Sequence, residues 1–440
     1  MSLESILKVI RGIVRLRGAT DNTLIGNEND SLKVFPTNKE DKDFSVVSFR
    51  DHMHDRLRRL RISNRVTLAE HAHTLGKGGR YWDEKITGDA SASWDADKWA
   101  VISSSGLQDG AKIERQTFRV MQYFKGASAL AHWSINFVEA RAGCTKCFMV
   151  GDQFNGVGLQ LNGSTLQMLI RSDVSGSVVD ITVDQSAWTK DKLDGTGPSG
   201  LTLDVTKEIL FEISYAHLGS GPITLVIHIG GKSVVVHEFI TSNSTAMPWA
   251  KTGSLPMRTE MTNTSVQGTE TTMRLNCASF ASESGDVTQG LVLTHSSGTS
   301  AISVSGTDQI ISGIRLDPNT RYLSLLPLGY NMKTESGNKF VYWKIVYRPT
   351  IVGGVWSDIN SVVEKLDSYT SFSGGFIIAE GQFDLSVGEV DIINLVQGQL
   401  NRDAYLGYSI DHDPEALILT GQTEKGSGKV FFSTLHRIFL

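Results

Sequence analysis

The sequence predicts an all-β protein with an extended N-terminal arm, a central β-sandwich and a C-terminal β-sandwich domain. Three observations carry that prediction. The apolar runs are short and rich in Val, Ile, Phe and Tyr. Gly, Asn, Asp and Ser interrupt them at the roughly 8–12-residue spacing of sandwiches and barrels. Glycine stands at 43 residues of 440 against 9 prolines, which suits many tight turns and excludes collagen and proline-rich linker chains. A hydrophobic content of 40% is ample for a core, and the length suits several domains. The balance of 42 basic and 47 acidic residues, net charge -5, does not describe a polyanion binder. No apolar run reaches the roughly 18 residues that would cross a bilayer, so membrane insertion is not expected.

Residues 1–40 read as a docking arm. Leu3, Ile6, Leu7, Ile10, Ile13 and Val14 recur at helical spacing, whereas from Ile13 the segment IVRLR, with Leu16 in it, reads equally as a strand. GATDNTLIGNENDS then supplies turn chemistry before Leu32–Val34. An arm with too little apolar surface for its own core docks elsewhere, or it frays. The opening residues superficially resemble a signal sequence. Glu4 precedes the apolar stretch, however, and Lys8, Arg11, Arg15 and Arg17 interrupt it, so secretion by this segment is not expected.

Residues 41–110 show no long periodic pattern and read as an irregular interface or linker region. Arg50, Arg56, Arg58, Arg59, Arg61 and Arg65 cluster there, followed by Trp82, Trp94 and Trp99. Tryptophans this dense could stack on sugar rings, but they serve more often as core or interface anchors. Aromatics do not interleave the arginines, and no nucleic-acid module is visible. Contacts to a neighbouring subunit account for the cluster more simply, and no nucleic-acid partner is expected.

Residues 111–285 form the central sandwich. FRVMQYF (118–124), AHWSINFV (131–138), GVGLQLNG (156–163) and ILFEISYAHL (209–218) are among its strand-like runs. In the last, Ile209, Phe211, Ile213 and Tyr215 share one face by the period-two rule. HIGGKSVVVHEF predicts a hairpin, because Gly230-Gly231 supplies positive φ between two strands. Residues 286–440 continue the style as a C-terminal β domain. FVYWKIVY (340–347) is nearly continuous in apolar and aromatic residues and predicts a buried strand. WSDINSVVEKLDS (356–368) also fits a helix, with Trp356, Ile359, Val363 and Leu366 on one side.

The search for chemistry returns little. No Walker, HExxH, GxSxG or dinucleotide fingerprint occurs in its required setting, so no catalytic residue and no cofactor is assigned. His52 and His54, with His71 and His73, form two His-x-His pairs that would each share a strand face. Four imidazoles could ligate zinc or nickel, and surface or interface histidines are the plainer reading. Cys144 and Cys147 lie in a Cys-x-x-Cys expected in a hairpin turn. With Cys277 they make an odd set, as befits assembly in a reducing cytoplasm.

A longer signature is more specific. DKLDGTGPSGLTLDVTKEILFEISYAHLG (191–219), HEFITSN (237–243) and LPMRTEMTNT (255–264) resemble a family of tailed-bacteriophage virion proteins found in tail, fibre, baseplate or neck. RLRRLRISNRVTL (56–68), YWDEKITGDAS (81–91), ERQTFRVMQYFKGAS (114–128) and RLRGATDNTLIGNENDSLKV (15–34) extend the resemblance over most of residues 13–285. The family's Pro-Gly-Lys-Ser turn is here Lys125-Gly126-Ala127-Ser128, and its Ser-Asn-Pro is Ser63-Asn64-Arg65. Its Gly-Tyr-Phe-Asp element is matched only out of step by Gly151–Gly156. Within the main signature, Asp194 and Ser199 are placed to bond the backbone of their own Gly-hinged loop.

The resemblance implies a non-enzymatic structural component of a virion, assembled in the host cytoplasm. Its partners would be other virion proteins, whether tail, neck or capsid subunits, and its own copies in a trimer or symmetric ring. Ile10, Ile13, Val14 and Leu16 of the arm, Arg56, Arg58, Arg59 and Arg61, and Trp82, Trp94 and Trp99 would form the assembly interface. The layout also resembles lectin-like jelly rolls, which implies an alternative role as an adhesin for host surface glycans. That role would need exposed aromatics and carboxamides together at one end of a sandwich.

Overall fold

The computed structural model describes residues 65–125, 127–216, 221–283, 290–334, 340–384, 389–391, 405–424 and 426–439. Ile10, Ile13, Val14, Leu16, Arg56, Arg58, Arg59 and Arg61 of the expected interface, and His52 and His54, lie outside these residues.

The first sandwich is built from fifteen strands: β1 (Val66–Ala72), β2 (Trp82–Thr87), β3 (Ser91–Asp95), β4 (Ala100–Ser104), β5 (Lys112–Thr117), β6 (Ala129–Asn136), β7 (Cys144–Gly151), β8 (Gly156–Asn162), β9 (Thr165–Ser172), β10 (Val179–Asp184), β11 (Ile209–Tyr215), β12 (Ile223–Ile229), β13 (Lys232–Phe239), β14 (Met257–Asn263) and β15 (Thr272–Ser282). One antiparallel sheet runs β13-β12-β11-β6-β15-β4-β3, with β1 also on β15; the other runs β10-β9-β8-β7-β14-β5-β2. The two form an antiparallel β-sandwich around one core. The stretch expected to be irregular before residue 111 therefore contributes four strands, β1 to β4, whose partners include β15, far along the chain.

The period-two rule explains the core. Ile209, Phe211, Ile213 and Tyr215 all face inward, none more than 2% exposed, and each such apolar side chain contributes about 1.5–3 kcal/mol. Trp133 of β6 stacks on Phe211 of its own sheet and meets Phe148 of the opposite sheet, both with ring centroids at 6.3 Å. At one end Lys146 replaces apolar packing. Its ammonium, from β7, donates to the carbonyls of Phe137, Glu139 and Thr272 and to Thr271 Oγ1, at 2.8–2.9 Å. Burial lowers its pKa to about 8, and these acceptors tie it to the segments flanking the facing sheet.

Turn chemistry agrees with expectation at two points. Gly230 and Gly231, at φ +58° and +72°, close the β12–β13 hairpin. In the 193–200 loop Asp194 accepts from the Thr196 amide and hydroxyl, and Ser199 Oγ accepts from the Leu201 amide. The loop's buried anchor is Asp191, which accepts from the amides of Leu193 and Ser199. A Cβ on Gly197 would fall 2.2 Å from its Oδ1. Cys144 and Cys147 are not in a turn: both are buried on β7, where burial raises the thiols, Cys144 to about 11.

The second sandwich comprises β16 (Leu291–Ser296), β17 (Ile302–Val304), β18 (Gln309–Leu316), β19 (Ser324–Thr334), β20 (Phe340–Tyr347), β21 (Thr350–Val352), β22 (Val355–Asn360), β23 (Val363–Ser368), β24 (Ser371–Ser373), β25 (Phe376–Asp384), β26 (Glu389–Asp391), β27 (Ala416–Thr423) and β28 (Gly428–Phe439). Its sheets run β16-β28-β19-β26, with β17 also on β28, and β22-β23-β18-β27-β20-β25; β21 and β24 form a separate ribbon. A second core, with Trp343, Tyr330 and Phe432, lies between the sheets. Residues 356–368 are not a helix but the β22–β23 hairpin. Asn360 Oδ1 accepts from the amides of Val362 and Val363, an Asx turn that reverses the chain where a helix would have continued. Strand β20 buries Val341, Trp343, Ile345, Val346 and Tyr347, whereas Phe340 at its start is 51% exposed.

The two cores belong to one compact unit spanning 63–440 and meet at a polar junction. Arg348, at φ +56°, donates to the carbonyls of Gly79 and Arg80 and lies 3.1 Å from the centre of the Phe118 ring. Its Nε pairs with Glu415 at 2.8 Å, and Glu415 also accepts from Tyr347 Oη and the Gly407 amide. Gly407 is required there, because a Cβ would fall 2.0 Å from the Phe118 carbonyl oxygen. Burial raises the Glu415 carboxyl to about 7 against the pull of Arg348. A carboxyl raised in the folded state gives stability that is fully present below its unfolded value of about 4.5 and lost as pH climbs through 7. Urea unfolding of wild type should therefore show stability falling over that window, and Glu415→Gln should flatten the fall.

Candidate functional site

The expected tryptophan cluster divides in the structure. Trp82 is only 3% exposed, its ring packed by His71, His73 and the Arg115 guanidinium within 6 Å, so its surface serves this chain's own core rather than a neighbour. Trp94 and Trp99 flank the β3–β4 hairpin at 38% and 62% exposure, and Trp94 Nε1 donates to the His73 carbonyl. His71 lies on β1 and His73 just past its end; both are buried, with burial lowering their pKa values to about 4 and about 3. Among the described residues no group of three or more His, Cys, Asp or Glu is placed to hold a metal.

Paired carboxylates occur on the outward face of the β10–β2 sheet. Glu114 and Glu260, opposite one another on β5 and β14, both bind the fully buried Arg258, which also donates to Gln116 Oε1. Arg171 reaches Glu260 at 3.0 Å and pairs with Asp180. Although burial disfavours its charge, Arg258 and Arg171 together hold the Glu260 carboxyl down at about 2. A glycosidase acid must carry a proton near neutral pH, and Glu260 does not. A depressed carboxyl gives stability present above its unfolded value and lost as pH falls through its folded value. Acid titration between about 4.5 and 2 should therefore destabilise the wild type, and Glu260→Gln should remove part of that dependence, as read by circular dichroism.

A different surface has the character of a binding face. In the β22–β25 sheet, Tyr342 of β20 sits directly between Gln382 of β25 and Gln422 of β27. One step along the same face lies Phe340, and on the other side Lys344 lies between Glu380 and Thr420. Phe340, Tyr342, Gln382 and Gln422, with Thr423 and Glu424, line a groove of about 540 Å³. Tyr342 Oη donates to Glu380, and Lys344 Nζ stands 5.2 Å from the Tyr342 ring centre and pairs with Asp308. Gln422 Nε2 donates to the Gly306 carbonyl. Gln382 and Glu424 are exposed and have no side-chain partner among the described residues.

The aromatics project because the reverse face of β20 is committed to the core. Val341, Trp343 and Ile345 alternate with them and are at most 2% exposed. Trp343 lies opposite Gly381 on one side and Gly421 on the other, and a Cβ on Gly381 would come 2.8 Å from the indole. Small residues beside the indole thus accompany carboxamides beside the phenol. The strand itself was visible in the sequence, whereas its neighbours, from segments some 40 and 80 positions away, carried no local signal.

The chain matches no protein-family profile and no curated protein. Among solved structures, an endo-1,3-beta-glucanase from Streptomyces sioyaensis is similar at 9% identity and a TM-score of 0.37, over 50% of this chain and 96% of that one. A legume lectin-like domain from Entamoeba histolytica is similar at 11% identity and a TM-score of 0.30, over 49% and 97% of the two chains. A protein of unknown function from Shewanella oneidensis MR-1 is similar at 8% identity and a TM-score of 0.34, over 52% and 94%. None of these likenesses bears on what this chain binds.

Proposed function

We propose that this chain is a non-catalytic structural component of a tailed-phage particle, anchored by its N-terminal arm, whose second sandwich presents a saccharide-binding face. The resemblance of residues 13–285, above all of 191–219, supports the virion role. One observation carries the binding role: Tyr342 flanked in register by Gln382 and Gln422, with Phe340 beside it. A pyranose has a C–H face that lies on an aromatic ring, and hydroxyls that both donate and accept. A carboxamide matches those hydroxyls with two donors and an acceptor in one plane. A purely apolar partner would leave the Gln382 carboxamide unpaired, and a simple ion would not use the rings. In a trimer or ring, several modest sites would act together and gain avidity.

Saturation-transfer NMR against neutral oligosaccharides should find binding by the full chain. Tyr342→Ala should weaken it about tenfold or more with the fold intact, and Gln382→Ala by less. Absence of binding across the panel, or binding unchanged in Tyr342→Ala, would remove this role. The anchoring role has its own test: a chain lacking residues 1–40 should fail to join particles, and its incorporation at full occupancy would overturn it.

A further inference from the structure

A second cavity, of about 390 Å³, lies at the junction of the two sandwiches. Its wall takes Glu70 and His71 from β1, where Glu70 is exposed and His71 buried on alternate faces, Arg80 and Tyr81 from the segment before β2, Arg119 from the segment after β5, and Tyr347 and Tyr405 from the second sandwich. The buried His71 and one buried nitrogen of the half-buried Arg80, whose guanidinium stands 5.7 Å from the Tyr81 ring centre, lack hydrogen-bond partners among the described residues. His71 is 9% exposed, yet among the described residues neither Nδ1 nor Nε2 has a hydrogen-bond partner. Arg80 has a buried Nε without a partner, and no carboxylate pairs with its guanidinium among the described residues. Such groups cost free energy unless something satisfies them.

The remaining wall narrows the chemistry. The Arg119 guanidinium lies 3.7 Å from the centre of the Tyr405 ring and donates to the Leu68 carbonyl, which makes a flat cationic and aromatic surface. The Tyr81 ring stands 5.3 Å from the His71 imidazole. Burial and the Arg119 charge keep that imidazole neutral, with one donor and one acceptor to offer. A cation, a neutral donor–acceptor pair and aromatic faces together suit a ligand with a carboxylate, hydroxyls and an apolar ring face. The geometry points to a carboxylate-bearing sugar residue, of the uronic acid class, bound at the sandwich junction with its carboxylate on Arg80 and a hydroxyl on His71. An inorganic oxyanion would leave the rings and most of the volume unused. This site is separate from the Tyr342 face and stands or falls without it.

Calorimetry with the full chain separates the two. A glucuronate-containing disaccharide should bind at one site per chain, more tightly than inorganic phosphate or its neutral counterpart. Arg80→Gln should weaken it about tenfold or more with the melting temperature unchanged, and Arg80→Lys should recover part of the loss. Tyr342→Ala should leave uronate binding as it is in wild type while reducing neutral-glycan binding. No uronate binding, phosphate binding as tight as uronate, or indifference to Arg80→Gln would each overturn the assignment.

Discussion

The indole of Trp343 sets the register on which the candidate binding face depends. It is 2% exposed in the second core, between glycines on both neighbouring strands. A slip of one residue in β20 would turn Trp343, Val341 and Ile345 to solvent and bring Phe340, Tyr342 and Lys344 inside. That would forfeit several large apolar burials and place an ammonium in the core without compensation. The outward aromatics are therefore held by what their neighbours bury, and the carboxamides are aligned with them because all three strands obey the same constraint.

The first sandwich meets a different demand. The outer face of its β10–β2 sheet carries charged groups that are themselves nearly buried, with Arg258 fully so and Glu114 and Glu260 each 7% exposed. Buried charges persist only when paired, and the alternation of Arg171, Glu260, Arg258 and Glu114 provides the pairs. Lys146 meets the same requirement at the end of the core through four oxygen acceptors. These arrangements make the face a charge-satisfied framework.

Where the sandwiches meet, the pairing is less complete. Arg348 is fully engaged by carbonyls, Glu415 and the Phe118 ring, while His71 and Arg80 nearby are not. The contrast is local and separates a clasp that joins the sandwiches from a cavity furnished for a ligand. His71 was singled out in the sequence for its His-x-His spacing. It is buried beside Trp82, and spacing along a strand says which face a side chain takes but not what lies opposite.

By itself the sequence determined the all-β class, the inward face of β11 and the Gly230-Gly231 hairpin, because alternation and turn residues act within a few positions of the chain. It misled where local patterns were ambiguous. The β1–β4 segment is short and rich in Ser, Ala, His and charged residues, so it looked irregular, and its strands exist because distant partners, β15 and β5, complete their ladders. Residues 356–368 carried apolar spacing that a helix and a hairpin both satisfy, and Asn360 decided between them through its hydrogen bonds to the turn amides. Only the tertiary structure could place Gln382 and Gln422 beside Tyr342, or Arg80 and His71 on one cavity, because strand pairing brings together residues that no local periodicity connects.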